Sequence, residues 1–420
     1  DGFAKDEIME KLLEFFYGIQ DEDLLRDAHT FSKSCVPYCE VAISGEEDTI
    51  VGQILSGVWA VFVDGMDQCV LIDQRTYPQR TTSEPDQDKS FRGSRDGFVE
   101  TMVFNAALIR RRIRSPRLCV EHLEVGETSR TDVAVCYFEG RADPELVNTV
   151  RERIAQARVD ALTMNQESLA ELLVRKRWYN PFPKFKFTER PDAAAAQILE
   201  GDVVVLVDNS PAAIILPTTL FDVMEEANDY YFPPITGSYL RLVRFFTTFL
   251  TTFLTPVWLL LIQEPERVPG WLEFILMEEP AQVPPLLQLL ILELAIDGLK
   301  LAALNTPNIL TTSFSMIGAI ILGDFAVQSG WFSAEVMLYM AVVAIANYNQ
   351  PNLELGYALK FMRLILLVAT GLLGLWGFVG GAALLFLVLV SNRTISGQCY
   401  LYPLVPFNGG ELKKKLLRIG

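Results

Sequence analysis

Histidine is almost missing from this chain: His29 and His122 are its only two in 420 residues. That leaves little material for zinc sites, or for a serine or cysteine nucleophile paired with an imidazole base. No Gly-x-Ser-x-Gly elbow and no His-Glu-x-x-His helix occurs. Arg92-Gly93-Ser94-Arg95-Asp96-Gly97 has the glycines of a phosphate loop but lacks the Gly-Lys-Ser/Thr ending, so it reads as a structural turn. No enzyme and no cofactor is expected. Cysteine is also sparse. Cys35, Cys39, Cys69, Cys119, Cys136 and Cys399 are scattered along the chain, whereas a disulfide scaffold concentrates them in a short one, so reduced thiols are expected. Cys35-x3-Cys39 has no second pair nearby, and no metal is expected there. Basic residues are outnumbered 36 to 52 by acidic ones, a net charge of −16 that works against phosphate-backbone binding; nucleic acid is excluded as a partner. The chain opens Asp1-Gly2-Phe3 without a basic stretch followed by an apolar one, so no secretory signal is visible and the sequence reads as a fragment.

The charge is not spread evenly. Residues 1–240 hold 41 of the acids and 25 of the bases, while residues 241–420 hold 11 of each. The expectation is a multi-domain membrane protein: an N-terminal soluble α/β region of two subdomains, 1–78 and 90–235, then a transmembrane helical domain over 240–395 and a cytoplasmic tail over 396–420. In the first subdomain, apolar residues recur at helical spacing over 7–17 and stop at Gly18. Residues 57–63 and 69–72 are apolar β-formers flanking Asp64-Gly65, which predicts a hairpin. Residues 76–90 read as a polar linker. The second subdomain predicts helices over 97–114, 144–158 and 192–200, and strands over 132–139, 203–208 and 213–217, an α/β or α+β sandwich. Asp143 before Pro144 and Asp192 before Ala193 are the expected helix caps. Arg110, Arg111, Arg112, Arg114 and Arg117 gather at a helix C-terminus, where a solvated or carboxylate-paired face is expected.

Residues 242–263 carry one charge, Arg244, and at about 1.5 Å per residue they reach about 33 Å, enough for a bilayer core of about 30 Å. Pro256 is expected to kink this span. Further candidate helices cover 286–304, 309–327 and 332–348. The run 364–390 has no charge and holds Gly371, Gly374, Gly377, Gly380 and Gly381, so it is either one long tilted helix or a broken hairpin. The basic flanks Arg241, Arg244, Lys360, Arg363, Arg393, Lys413, Lys414, Lys415 and Arg418 place both termini on the cytoplasmic side and favour the hairpin.

Glu293, Asp297 and Lys300, at i, i+4 and i+7, share one helix face. Each ionised group near mid-bilayer costs about 2.5–3.5 kcal/mol on insertion scales, so the stripe is expected to face water or the bundle interior. Two acids and one base give it the sign that attracts cations. Two bland alternatives stand beside this one: an Asp297–Lys300 pair that only fixes packing, or an interfacial helix that never crosses. Asp324 is a further pathway candidate, although it and Glu335 lie near span ends, where a snorkelled position is the competing reading. Asn305, Asn347 and Asn349 are weaker candidates.

The block Arg92-Gly93-Ser94-Arg95-Asp96-Gly97-Phe98-Val99-Glu100-Thr101, followed by Asn105-x-x-Leu108-Ile109-Arg110-Arg111-Arg112-Ile113, resembles the GerA family of bacterial spore germination proteins. Thr131 to Tyr137, Asp143-Pro144-Glu145-Leu146-Val147, Thr188-Glu189-Arg190-Pro191-Asp192, Leu199-Glu200-Gly201 and Pro403-x-x-Pro406-Phe407-Asn408 agree with it in order. Cys399 departs from the proline usual before Tyr400, and the start is truncated relative to the family. The resemblance implies a soluble region on the cytoplasmic, spore-core side of the spore inner membrane and a multi-pass helical domain. It implies homo-oligomers, pentamers, that form cation channels triggering or amplifying germination, with other germination membrane subunits and membrane lipids as partners. A substrate-coupled transporter with a midplane site in 364–390 and a non-conducting membrane scaffold remain the alternatives.

Overall fold

The computed structural model describes residues 6–20, 22–37, 40–75, 80–85, 88, 93–174, 178–277, 282–305 and 326–418. Two compact units meet in sequence at Thr81 and Thr82.

The first unit contains α1 (Asp6–Tyr17), α2 (Ala28–Cys35), β1 (Glu40–Ser44), α3 (Glu47–Leu55), β2 (Trp59–Val61) and β3 (Cys69–Asp73). α1 ends at Gly18, whose N–H donates to the Glu14 and Phe15 carbonyls. Asp27 caps α2 by accepting from the Thr30 N–H at 2.8 Å. The strands form an antiparallel sheet in the order β1-β3-β2. The expected hairpin is β2–β3, turning at Gly65 with φ +90°. Val70 and Ile72 of the central strand pack on Leu12 and Phe31.

The second unit begins with an α/β layer. Its five-stranded sheet runs β4 (Leu118–Val125), β5 (Thr131–Phe138), β7 (Val203–Val207), β8 (Ala213–Leu216), β6 (Lys186–Thr188), each neighbour antiparallel. Alternation explains the two-faced core. Val203, Val205 and Val207 turn toward α5 (Pro144–Ala155) and α6 (Gln166–Leu173), with Val150 and Leu169 buried there. Val204 and Leu206 turn the other way, toward α4 (Met102–Arg112) and α7 (Pro191–Glu200), with Ile109 and Ile198. Each such side chain contributes about 1.5–3 kcal/mol by leaving water.

Asp143 caps α5 as expected, accepting from the Glu145 N–H at 3.0 Å. Two expected boundaries move. α4 starts at Met102 rather than near residue 97, because Phe98 donates to the Glu189 carbonyl at 2.8 Å and Asn105 ties both backbone groups of Val99. α7 starts at Pro191, so Asp192 lies in its first turn and pairs with buried Arg190 at 2.7 Å instead of capping. Arg190 and Arg112 also bond Ser94, which accounts for the 93–97 turn as structure. His122 is exposed on edge strand β4, and His29 is exposed on α2.

The chain then passes through α8 (Leu220–Val223) and α9 (Asn228–Tyr231) into four longer helical elements: α10 (Pro234–Gln263), α11 (Pro285–Asn305), α12 (Ala334–Tyr348) and α13 (Leu353–Ser391). α13 is two antiparallel arms. Gly374 breaks the helix at φ +57°, ψ −135°. A Cβ on Gly381 would meet Leu366, and Leu385 packs with Leu359 and Met362, contacts that only a chain folded back on itself permits. The run 364–390 is therefore the broken hairpin, with its tip at Gly374.

Gln263 near the end of α10 donates to the Gly371 carbonyl, and Gln288 near the start of α11 accepts from the Ser333 N–H. These bonds define the end of the bundle far from the α/β layer. The hairpin starts and finishes at the near end, where Lys184 of the α/β layer donates to the Arg393 carbonyl. α14 (Gly409–Leu416) returns to α8, with Lys415 2.6 Å from Asp222. The helix expected over 309–327 lies, but for its last two residues, outside the described residues.

Candidate functional site: a buried charge network in the helical bundle

α11 presents Glu293 and Asp297 to the first arm of the hairpin. Both Nε and a terminal nitrogen of Arg363 lie 2.6 Å from Glu293 Oε1, and Lys360 Nζ lies 3.3 Å from Glu293 Oε2. Lys360 also pairs with Asp297 and donates to the Glu293 carbonyl at 3.0 Å. Arg363 donates in addition to the Thr251 carbonyl of α10 at 2.6 Å. Glu293, Lys360 and Arg363 are all under 5% exposed. Burying an ionised side chain costs several kcal/mol unless a partner compensates, and here each carboxylate has one.

The third stripe residue stands apart. Lys300 lies over the rings of Tyr348 (4.7 Å) and Tyr357 (5.6 Å), a pair of cation–π contacts. The Asn347 amide, in its bonded orientation, accepts from Lys300 at 3.1 Å and donates to the Gly356 carbonyl. Glu293, Asp297 and Lys300 nonetheless line one cavity of about 10 Å³ together with Asn347, Lys360 and Arg363, the scale of a single water. Among the described residues the second oxygen of Asp297 has no hydrogen-bond partner, nor do the Thr251 and Thr255 hydroxyls.

Three expectations change. Asp297 pairs with Lys360 of the hairpin rather than with Lys300. The net negative sign of the α11 face is offset, because Lys360 and Arg363 bring the assembled group to two acids and three bases. And these two cations, read in the sequence as flanks, are buried inside the bundle. Arg241 and Arg244 move in the same way: Arg241 meets Glu225 at 2.8 Å, and Arg244 meets Asp229 and Glu226 at 2.8 Å each. Asp324 lies outside the described residues. Glu335 sits in the first turn of α12, and Asn349 donates to Thr247 at 3.1 Å.

Beneath α10, a second cluster joins the layers. Lys415 of α14 serves Asp222 at 2.6 Å and Glu225 at 3.7 Å. Burial works against the charged form of Asp222, yet Lys415 and the Thr219 cap hold its carboxyl below the usual range. Asp202 has no ion pair among the described residues, and Lys415 and Lys186 only partly offset what surrounds it. Burial, followed by the nearby charges of Asp222 and Glu200, pushes it up to about 8.

The geometry defines a two-part protein, an acidic α/β region joined to an apolar helical bundle that encloses ionised groups. The chain belongs to the Bacillus/Clostridium GerA spore germination protein family, whose model matches residues 1–420. It is similar to the stage V sporulation protein AF of Bacillus subtilis (strain 168), at 43% identity over 88% of this chain and 75% of that protein. Spore germination protein KA of the same organism is 28% identical over 96% of this chain and 74% of that protein. Among solved structures, the N-terminal domain of the A subunit of the Bacillus megaterium spore germinant receptor GerK3 matches at 34% identity, covering 29% of this chain and 94% of that one, with a TM-score of 0.24.

Proposed function

We propose that this chain is a non-enzymatic, multi-pass subunit of a germination complex in the spore inner membrane, and that oligomers of it, pentamers in the reading the family resemblance gives, pass cations beside α11. Family membership supports the germination role. One helix, Pro234–Gln263, is long and apolar enough to cross a membrane, and the hairpin Leu353–Ser391 carries an apolar window of which only 11% is buried. Phe246, Leu294, Leu372 and Trp376 are all more than half exposed, a surface that suits lipid and not water. Arg393, Lys413 and Lys414 cluster at the α/β end, which favours the cytoplasmic side for that end.

The observation that carries the ion-pathway reading is the set Glu293, Asp297, Lys300, Lys360 and Arg363 inside an apolar bundle. Hydrophobic side chains of similar volume would pack there as stably or better, so packing alone is a poor reason for it. In this reading the arrangement is the closed one. Lys360 and Arg363 occupy the carboxylates, and cations pass when the first arm of the hairpin carries them aside. Potassium flux through vesicles reconstituted with the full chain should fall on E293Q or D297N and rise on K360Q. Unaltered flux and selectivity in all three variants sinks the pathway.

The tight pairing of Glu293 also favours a second reading, a non-conducting scaffold in which the network only locks α11 to the hairpin. Vesicle permeability unchanged by the full chain, with the complex lost on deleting residues 1–230, would establish that reading instead.

A further inference from the structure

Where the returning arm of the hairpin ends at Ser391, a cavity of about 720 Å³ opens between it and the α5–α6 side of the α/β layer. That volume is in the range of small-molecule sites, about 300–1,000 Å³. Arg153, Lys184 and Arg393 line it, and among the described residues no Asp or Glu does. Arg153 donates to the Leu173 carbonyl and Arg393 to the Gly397 carbonyl at 3.3 Å; neither has a carboxylate in ion-pair range among the described residues. Lys184 donates to Asn392 Oδ1 and to the Arg393 carbonyl. Asn392 is 2% exposed, lines the same cavity, and its Nδ2 donor has no acceptor among the described residues. A buried amide donor without an acceptor is disfavoured until something supplies an oxygen.

We propose that this cavity binds the phosphate group of an anionic ligand, with Arg153 and Arg393 offering their guanidinium forks and Asn392 Nδ2 a third donor. Guanidinium matches the oxygen geometry of phosphate, and the absence of a lining carboxylate removes competition for it. The neighbourhood favours a lipid headgroup as the source. The cavity lies where the apolar arm ends, and Trp178, 97% exposed, stands beside lining residue Tyr179 with ring centroids 6.0 Å apart. Exposed Trp and Tyr at the end of an apolar helix are the side chains that settle at headgroup depth. The lipid source rests on the membrane reading above; the phosphate chemistry does not.

The test uses the full chain in neutral detergent. Phosphatidylglycerol and phosphatidylcholine are titrated in, and bound lipid is counted by native mass spectrometry. Glycerol 1-phosphate is titrated separately by calorimetry. Phosphatidylglycerol should be retained over phosphatidylcholine, and R153Q and R393Q, both at exposed side chains, should each weaken it by about tenfold. N392D, which sets a carboxylate against the phosphate, should weaken it further while melting like the parent chain. Glycerol 1-phosphate binding that the same variants abolish, without lipid retention, would uphold the phosphate site and assign it a soluble ligand. Equal retention of phosphatidylglycerol by parent and variants, or no binding of any of the three probes, overturns the proposal. Ion flux is a separate readout, so a failed pathway leaves this result intact.

Discussion

The Glu293–Arg363 pair can be dissected by a double-mutant cycle. Two nitrogens of Arg363 lie 2.6 Å from one Glu293 oxygen, with the residues 2% and 3% exposed. E293Q would leave Arg363 and Lys360 sharing one carboxylate, Asp297. R363Q would leave Glu293 and Asp297 to share Lys360. Removing one partner of a buried pair costs about 3–5 kcal/mol, because the remaining charge is desolvated without compensation. The double variant E293Q/R363Q keeps the Lys360–Asp297 pair and places two neutral amides in the gap, so it should cost less than either single change. The coupling energy should therefore be about 3 kcal/mol or more. Unfolding of the full chain in mixed micelles with rising dodecyl sulfate, followed by tryptophan fluorescence, measures all four corners; Trp258 of α10 is buried in the same bundle. Additive single-variant costs would refute the pairing, since two groups that do not interact have no reason to rescue each other.

The hairpin makes a steric prediction. A Cβ on Gly377 would lie 1.8 Å from the Ala369 carbonyl oxygen, backbone against backbone, so G377A must pry the arms apart and should destabilise the bundle by about 1–3 kcal/mol in the same assay; an unchanged midpoint rules out the fold-back. A pH prediction concerns Asp202, whose carboxyl is raised from 3.8 to about 8 by burial and by Asp222 and Glu200. The folded chain holds a proton there that the unfolded chain releases between those two values. This group's contribution is thus complete at low pH and declines as pH rises from about 4 to about 8. D202N should flatten the melting temperature across that window; a profile parallel to the parent's contradicts the assignment.

The parts of this fold that periodicity encodes are legible in the residues. Val203 to Val207 alternate faces as a doubly covered strand must, Asp143-Pro144 starts a helix, and the glycines of 364–390 mark a segment that bends. The elements that periodicity does not announce have little local contrast. α3 (Glu47–Leu55) buries none of its residues, β6 is three residues long, and β4 carries Glu121, His122 and Glu124 among its apolar positions because it is an edge. Glu121 instead holds Arg151 at 2.7 Å and the Tyr137 hydroxyl at 2.6 Å, partners that lie elsewhere in the sequence. The same distance in sequence hid the partners of Glu293. Lys360 and Arg363 sit at i, i+3 within an apolar helix, as Glu293 and Asp297 sit at i, i+4, so two complementary stripes were present. Rules for charged flanks drew the basic one to the membrane surface; only packing puts it opposite the acids.

Both charge networks hang on one helix. Arg241 and Arg244 anchor α10 to Glu225, Glu226 and Asp229 beside the α/β layer, and Thr251, two turns further on at about 10 Å, accepts from Arg363 of the hairpin. Gly237 tightens the lower joint, since a Cβ there would lie 2.3 Å from the Asp229 carbonyl oxygen. A displacement of α8 and α9 has two outlets. Either the Arg244–Asp229 pair breaks, exposing a carboxylate that is 0% accessible, or α10 moves as a body and drags the Thr251–Arg363 bond with it. The first outlet leaves Asp229 to Arg241 at 3.4 Å and Arg244 to Glu226 at 2.8 Å, weakening a buried pair, whereas the second keeps all of these pairs, so α10 is expected to move as a body and to pull on the Glu293 network.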